Sequence, residues 1–74
     1  MITKEELLEL GFEEGYEKNY ECYGYFYYTG YREYIFVNLD KKFISCTLIT
    51  DTYNATKANI LKFIEIIKLI GELE

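Results

Sequence analysis

Eight of the nine tyrosines of this chain lie between Tyr16 and Tyr34, in a stretch rich in the aromatic residues that favour β-strands. Thr29-Gly30 interrupts this stretch and predicts a two-residue turn between antiparallel strands at residues 20–28 and 31–39. An aromatic hairpin of this length must bury at least one face, so it limits the folds open to the chain more than any other feature.

The predicted turn also determines which side chains of the hairpin share a face, because successive residues of a strand point to opposite sides. We place Tyr28 opposite Tyr31. The predicted outer face then contains Tyr23, Tyr25, Tyr27, Arg32, Tyr34 and Phe36. The predicted core face contains Cys22, Gly24, Phe26, Ile35 and Val37. Tyrosine combines a rigid ring with a hydroxyl that tolerates water, so the outer face is interpreted as a surface for a partner.

A third strand is predicted at residues 43–50, after a second turn at Asp40-Lys41. Continuing the pairing through this turn sets Val37 opposite Ile44 and Ile35 opposite Cys46. The two turns agree on one register, although that register points Glu33 toward the core.

A short helix is predicted at about residues 4–10. Thr3 followed by Glu6 is the capping-box pair that begins a helix, and Gly11 followed by Phe12 fits a Schellman ending. In this helix Leu7, Leu8 and Leu10 are expected to face the core.

A second helix is predicted at residues 56–70, with Thr56 or Asn54 as its cap and Gly71 as its stop. Its apolar residues cover more than one side of the helix. Packing on the sheet and on the first helix accounts for much of this, but a spare apolar flank would also suit pairing of two copies of the chain.

These elements predict an α+β fold in a single small domain, residues 1–74, with the order αβββα and both helices on one face of a three-stranded meander. A chain of 74 residues has room for one domain. The sequence begins without a secretory pattern and contains no apolar run long enough to span a bilayer, so a cytoplasmic location is expected.

The net charge of −5 is unevenly distributed. Residues 1–21 contain seven glutamates and two lysines, whereas the acids and bases of the remaining chain balance. Two interpretations stay open: a solvated acidic face that keeps the protein soluble, or a surface that binds a cationic partner.

Catalytic and metal-binding patterns are absent from the sequence. It contains no histidine and no glycine-rich phosphate loop, and Cys22 and Cys46 are not spaced as zinc ligands. We expect no enzyme activity, no cofactor and no metal, and two buried thiols rather than a disulfide. Direct binding of nucleic acid is disfavoured because seven glutamates lie in the first third of the chain.

An acidic surface beside tyrosines is complementary to proteins that themselves bind nucleic acid, since carboxylates can replace phosphates and tyrosine rings can replace stacked bases. The segments TKEELLELGF (residues 3–12), YIFVNLD (residues 34–40) and FIEIIKLIG (residues 63–71) resemble those of short phage and prophage proteins of low-GC bacteria. That resemblance implies, as one candidate class, the small acidic anti-CRISPR inhibitors that bind Cas effectors.

The hypothesis from sequence is therefore a non-enzymatic phage-type protein that inhibits a bacterial nucleic-acid-binding defence complex by protein contact. The candidate binding residues are Glu5, Glu9, Glu13, Glu14, Glu17, Tyr23, Tyr25, Tyr27, Arg32 and Tyr34. The alternative is a small self-associating structural or adaptor module, such as a homodimer joined through the tyrosine face or the last helix.

Overall fold

The computed structural model describes residues 2–28, 32–47 and 49–73. For residues 49, 50 and 71–73 it describes the backbone only. Its elements in chain order are α1 (Lys4–Glu9), β1 (Glu13–Glu17), β2 (Cys22–Tyr28), β3 (Tyr34–Asn38), β4 (Phe43–Cys46), β5 (Ile49–Asn54) and α2 (Lys57–Leu73). The strands form one antiparallel sheet in the order β1-β2-β3-β4-β5.

The predicted three-stranded meander is wrong because the sheet has five strands, although the α+β class is consistent with the structure. The first additional strand, β1, has the largely polar sequence EEGYE, which does not by itself indicate a strand. The second, β5, overlaps the end of the predicted third strand and fills the segment before the predicted second helix. A register shift between Ile44 and Cys46 accompanies this reversal of the chain.

The predicted register of the aromatic hairpin is also wrong. Tyr28 pairs with Tyr34, and Tyr27 pairs with Ile35. β2 ends at Tyr28 and β3 begins at Tyr34, so the connection between them is longer than the predicted two-residue turn. The predicted turn residues Thr29 and Gly30, and Tyr31 after them, lie outside the described residues. Because the pairing moves by an odd number of positions, every side chain of β3 changes faces relative to β2.

The register between β3 and β4 is confirmed. Val37 pairs with Ile44 and Ile35 pairs with Cys46, as the turn at Asp40-Lys41 predicts. Cys22 and Cys46 form no disulfide. Cys22 shares a face with Phe26, whereas Cys46 shares the opposite face with Ile35, so the sheet separates the two thiols.

The ends of α1 follow the sequence closely. The backbone N–H of Glu6 donates to Thr3 Oγ1 over 3.2 Å, and the backbone N–H of Thr3 donates to Glu6 Oε1 over 3.2 Å, which completes the capping box. At the other end Gly11 has φ of 101°, and the N–H of Phe12 donates to the Leu7 carbonyl over 3.0 Å. This is the predicted Schellman ending.

One core assignment in α1 fails. Leu7 is fully buried and Leu10 packs at the edge of the core, but Leu8 is 45% exposed. A helix with fewer than two full turns presents only a narrow stripe to the sheet, and Leu8 falls outside it.

The start of α2 is confirmed, and its end is not. The backbone N–H of Asn59 donates to Thr56 Oγ1 over 3.2 Å, so Thr56 is the cap. The helix then continues through Gly71 to Leu73, beyond the predicted stop. A glycine lowers helix stability without preventing helix formation.

Both helices pack on the same face of the sheet, as predicted. We call this the helix face; it carries Ile35, Val37, Ile44 and Cys46. Their main partners from the helices are Leu7 of α1 and Ile60, Phe63, Ile64 and Ile67 of α2. This is the main hydrophobic core.

The opposite face, here called the aromatic face, carries a cluster of six rings. They are Tyr20, Phe26, Tyr28, Tyr34, Phe36 and Phe43. Phe36 is fully buried within this cluster. The Tyr20 ring covers Phe36, on which it is stacked with ring centroids 6.2 Å apart. The Tyr20 hydroxyl donates a hydrogen bond to Ser45 Oγ over 3.2 Å.

A pair of glycines makes room for the aromatic face. Gly15 and Gly24 lie directly opposite each other on β1 and β2. A Cβ on Gly15 would lie 2.8 Å from a ring carbon of Phe26, and a Cβ on Gly24 would overlap the Val37 carbonyl oxygen. The rings therefore occupy the positions where side chains of β1 and β2 would otherwise stand.

We predict that Gly24→Ala destabilises the protein more than Gly15→Ala. The methyl group at Gly24 meets a backbone oxygen that moves only with β3, so the expected loss is about 1–3 kcal/mol. The methyl group at Gly15 meets the Phe26 ring beside an edge strand, where a small shift relieves it, and about 1 kcal/mol or less is expected. Urea denaturation of both variants measures the difference; equal losses would contradict this role of Gly24.

Candidate functional site

Four exposed glutamates from α1 and β1 form what we call the acidic surface: Glu5, Glu9, Glu13 and Glu14. The Schellman ending of α1 leads directly into β1, which keeps the two pairs of acids close along the chain. In addition, Lys4 Nζ lies 3.1 Å from Glu14 Oε1 and links the start of α1 to the strand.

The acidic surface wraps around the edge of the sheet. Glu14 pairs with Tyr25 and shares the helix face, whereas Glu13 pairs with Phe26 and shares the aromatic face. Since β1 is an edge strand, an approaching molecule can reach carboxylates on either side of it.

Most of this negative charge is not neutralised locally. Within the described ranges the ion pairs are Lys4 with Glu14 and Lys57 with Glu6, the latter at 3.1 Å. The hydrogen bond from Lys57 is the main reason that the pKa of Glu6 is lowered. Both pairs are accessible to solvent and therefore weak. A cationic partner can replace the lysine of such a pair, so the carboxylates of the acidic surface remain available for binding.

Glu17 differs from the other candidate glutamates because it is only 6% exposed. Its carboxylate accepts a hydrogen bond from the Tyr34 hydroxyl over 2.7 Å and another from the backbone N–H of Asn19 over 3.1 Å. Glu17 therefore fixes the turn after β1 and one ring of the aromatic face.

The candidate tyrosines do not share one face, which corrects the predicted outer surface. Tyr25 and Tyr27 lie on the helix face and pack against the main core, whereas Tyr34 belongs to the aromatic face. Tyr23 is 77% exposed. Arg32 is exposed in the connection between β2 and β3. The cause is the register of β2 and β3, which differs from the predicted one by an odd number of positions.

Tyr16 is an exposed aromatic residue next to the candidate Tyr23 that sequence reasoning missed. It pairs with Tyr23 across β1 and β2, with ring centroids 4.9 Å apart in an edge-on arrangement. The sequence EEGYE has no apolar alternation that would indicate a strand, so the role of Tyr16 becomes clear only from the pairing of β1 with β2.

A groove of about 350 Å³ lies on the helix face beside the acidic surface. Its lining includes Lys4, Glu14, Tyr23, Tyr25, Leu39 and Asp40. The groove is therefore lined by two tyrosine rings, one aliphatic side chain, two carboxylates and one ammonium group. Glu14, Tyr23 and Tyr25 are the predicted site residues that the structure brings together here.

The described residues contain no cluster of three or more metal-ligating side chains. Within the same residues, no helix is long and apolar enough to cross a membrane. The chemistry that the acidic surface and the groove provide is attraction of positive charge, hydrogen bonding and contact with aromatic rings.

The hydrogen bond between Tyr34 and Glu17 predicts a pH dependence. The Glu17 carboxylate, aided by partial burial, raises the pKa of Tyr34 from 10.0 to about 12. Above pH 10 an unfolded chain releases this proton while the folded protein retains it, so the stabilisation is complete below pH 10 and is lost as the pH rises toward 12.

We therefore expect an ultraviolet titration to show a late ionisation step from Tyr34, and Tyr34→Phe to remove that step. Tyr23→Phe, at an exposed ring outside this hydrogen bond, is the matched control and should keep it. A late step that persists in Tyr34→Phe would contradict the assignment.

Comparison with known proteins adds no relative to this chain: no family model, curated protein or solved structure matches it. We therefore infer a function from the geometry of the acidic surface and of the groove.

Proposed function

We propose that this protein is a non-enzymatic, phage-type inhibitor that binds a bacterial nucleic-acid-binding defence complex through its acidic surface and blocks the path of the nucleic acid. One observation carries the proposal. All of the excess negative charge belongs to residues 1–21, and the fold exposes most of it around α1 and the edge strand β1.

The surface has the chemistry to compete with nucleic acid. Glu5 and Glu9 are four residues apart on α1, a spacing that places side chains on one face of a helix about 6 Å from each other. A row of carboxylates at such spacing can engage lysine and arginine side chains that otherwise bind phosphates. The exposed Tyr16 and Tyr23 rings lie on the same side of the sheet as Glu14 and offer surfaces for stacking.

The same charge argues against the protein binding nucleic acid itself. Phosphates would approach a region with seven glutamates and two lysines, and Lys4 is already engaged by Glu14. A cationic protein groove is the partner that the electrostatic field favours, and the association should be fast and sensitive to salt.

We predict that the triple variant Glu5→Lys, Glu9→Lys, Glu13→Lys no longer binds its partner, because the surface then repels cations. These side chains are exposed and take part in neither of the ion pairs found among the described residues, so the fold should be retained. The measurement is a pull-down from bacterial lysate at low and high salt, followed by a filter-binding assay of whether the captured complex still binds DNA or RNA.

The matched control is the variant Glu65→Lys, Asp51→Lys, which removes exposed acids far along the chain from the acidic surface. It should capture the same complex as the native protein. Unchanged capture and inhibition by the triple variant would contradict the proposal, as would a captured complex that still binds nucleic acid normally.

A second candidate function is self-association, and exposed apolar side chains on α2 favour it. Leu61, Ile66 and Leu69 are 40%, 42% and 58% exposed. Ile66 and Leu69 are three residues apart and therefore adjacent on the helix surface, so pairing of two copies would remove both from water.

If self-association is the function, the native protein should sediment as a dimer, and Ile66→Gln with Leu69→Gln should make it a monomer of 8.9 kDa. Leu8→Gln on α1 is a control of similar exposure, 45%, on the other helix. Analytical ultracentrifugation over a wide range of concentrations decides the question, because a native protein that remains monomeric throughout excludes this candidate.

A further inference from the structure

We infer that the groove beside the acidic surface is an anchor site for an arginine side chain. The identification of that arginine with a residue of a nucleic-acid-binding partner rests on the proposed function. The ability of the groove to bind a guanidinium group does not, and it can be tested by itself.

The walls of the groove suit a planar cation. Tyr25 is half-buried and packs against the main core, so its ring is held in place. Tyr23 is 77% exposed, and the Tyr16 ring 4.9 Å away supports it. A guanidinium group stacks well on tyrosine faces, and Leu39 provides apolar contact for the methylene groups behind it.

The rim of the groove provides the opposite charge. Glu14 and Asp40 both line it and both are exposed, so their carboxylates can turn toward a bound cation. Arginine can form two parallel hydrogen bonds to one carboxylate, which gives orientation as well as affinity. The groove also exposes the backbone at Gly15 and Gly24.

The structure already holds one cation at this position. Lys4 Nζ lies 3.1 Å from Glu14 Oε1, and the pKa of Lys4 is raised mainly by this hydrogen bond and attraction, with Tyr25 as a further contribution. Because half or more of each side chain is exposed, at 52% for Lys4 and 61% for Glu14, the pair is weak and can be exchanged. An arginine from outside would replace the lysine and gain a second, parallel hydrogen bond to the carboxylate and flat stacking on a ring, which the compact ammonium group cannot form.

Other occupants fit less well. An anion would meet two carboxylates and one lysine that is already paired. With a volume of about 350 Å³, the groove is near the lower end of the range for small-molecule sites, so it suits one long side chain rather than a large ligand.

The test is an NMR titration of the native protein with N-acetyl-arginine amide, observed through its backbone amide signals. We expect saturable shifts at Gly15, Tyr23, Gly24, Tyr25 and Leu39. N-acetyl-citrulline amide has the same shape without the charge and should give no saturable shift there. Equal shifts from both compounds, or arginine shifts spread over the whole acidic surface, would overturn the inference.

Variants sharpen the test. Glu14→Gln and Asp40→Asn should each weaken arginine binding about three- to fivefold, the usual effect of one exposed charge pair. Lys4→Met should strengthen it because the competing cation is gone. Glu65→Gln, an exposed acid on α2 outside the groove lining, should leave the affinity unchanged, so a Glu65 effect as large as that of Glu14 would indicate only general electrostatic attraction and contradict an anchor site.

The two proposals fail separately. If the variant with Glu14→Gln and Asp40→Asn captures the partner as well as the native protein does, the assignment of the groove to an arginine of the partner is wrong while the acidic surface stands. If arginine binds in the groove but the triple variant with Glu5→Lys, Glu9→Lys and Glu13→Lys retains full inhibition, the acidic surface is wrong while the anchor site stands.

Discussion

The arrangement of this small fold depends on the two glycines that face each other across β1 and β2. Gly15 and Gly24 have no side chains on the aromatic face, and the rings of Phe26 and Phe36 pack in the space that this leaves. Phe36 is thereby fully buried on a side of the sheet away from both helices. A chain of 74 residues would otherwise need a further element to cover that face.

This constraint also determines where the tyrosines lie. With Gly24 and Phe26 committed to the aromatic face, the intervening positions of β2 must point to the helix face. Tyr25 and Tyr27 consequently border the main core, and Tyr23, beyond the cover of the helices, remains exposed. The same alternation on β1 brings Glu14 beside Tyr25. The groove is thus a result of how the glycine pair orients the first hairpin.

Local signals predicted the features that depend on a few neighbouring residues. Thr3 and Glu6 cap α1 through their own hydrogen bonds, and the tight turn at Asp40-Lys41 fixes the pairing of Val37 with Ile44. The pairing of β2 with β3 depends on the number of residues in the loop between them. Both faces of β2 carry aromatic residues, so the sequence pattern does not show which register is correct. Tyr16 and Glu17 on β1 carry no strong strand pattern, and only their partners Tyr23 and Cys22 in the sheet define them.

The distribution of charge on α1 bears on whether the acidic surface serves binding or solubility. Carboxylates on β1 have a structural benefit, since charged residues on an edge strand oppose pairing with another sheet. Glu9 has no such benefit: it repels Glu5 one turn away, and it lies at the end of α1 where the helix dipole disfavours negative charge. Each effect opposes folding by a few tenths of a kcal/mol. Solubility alone would be served equally by a glutamate elsewhere, so the position of Glu9 supports the proposal that this side of α1 contacts a cationic partner.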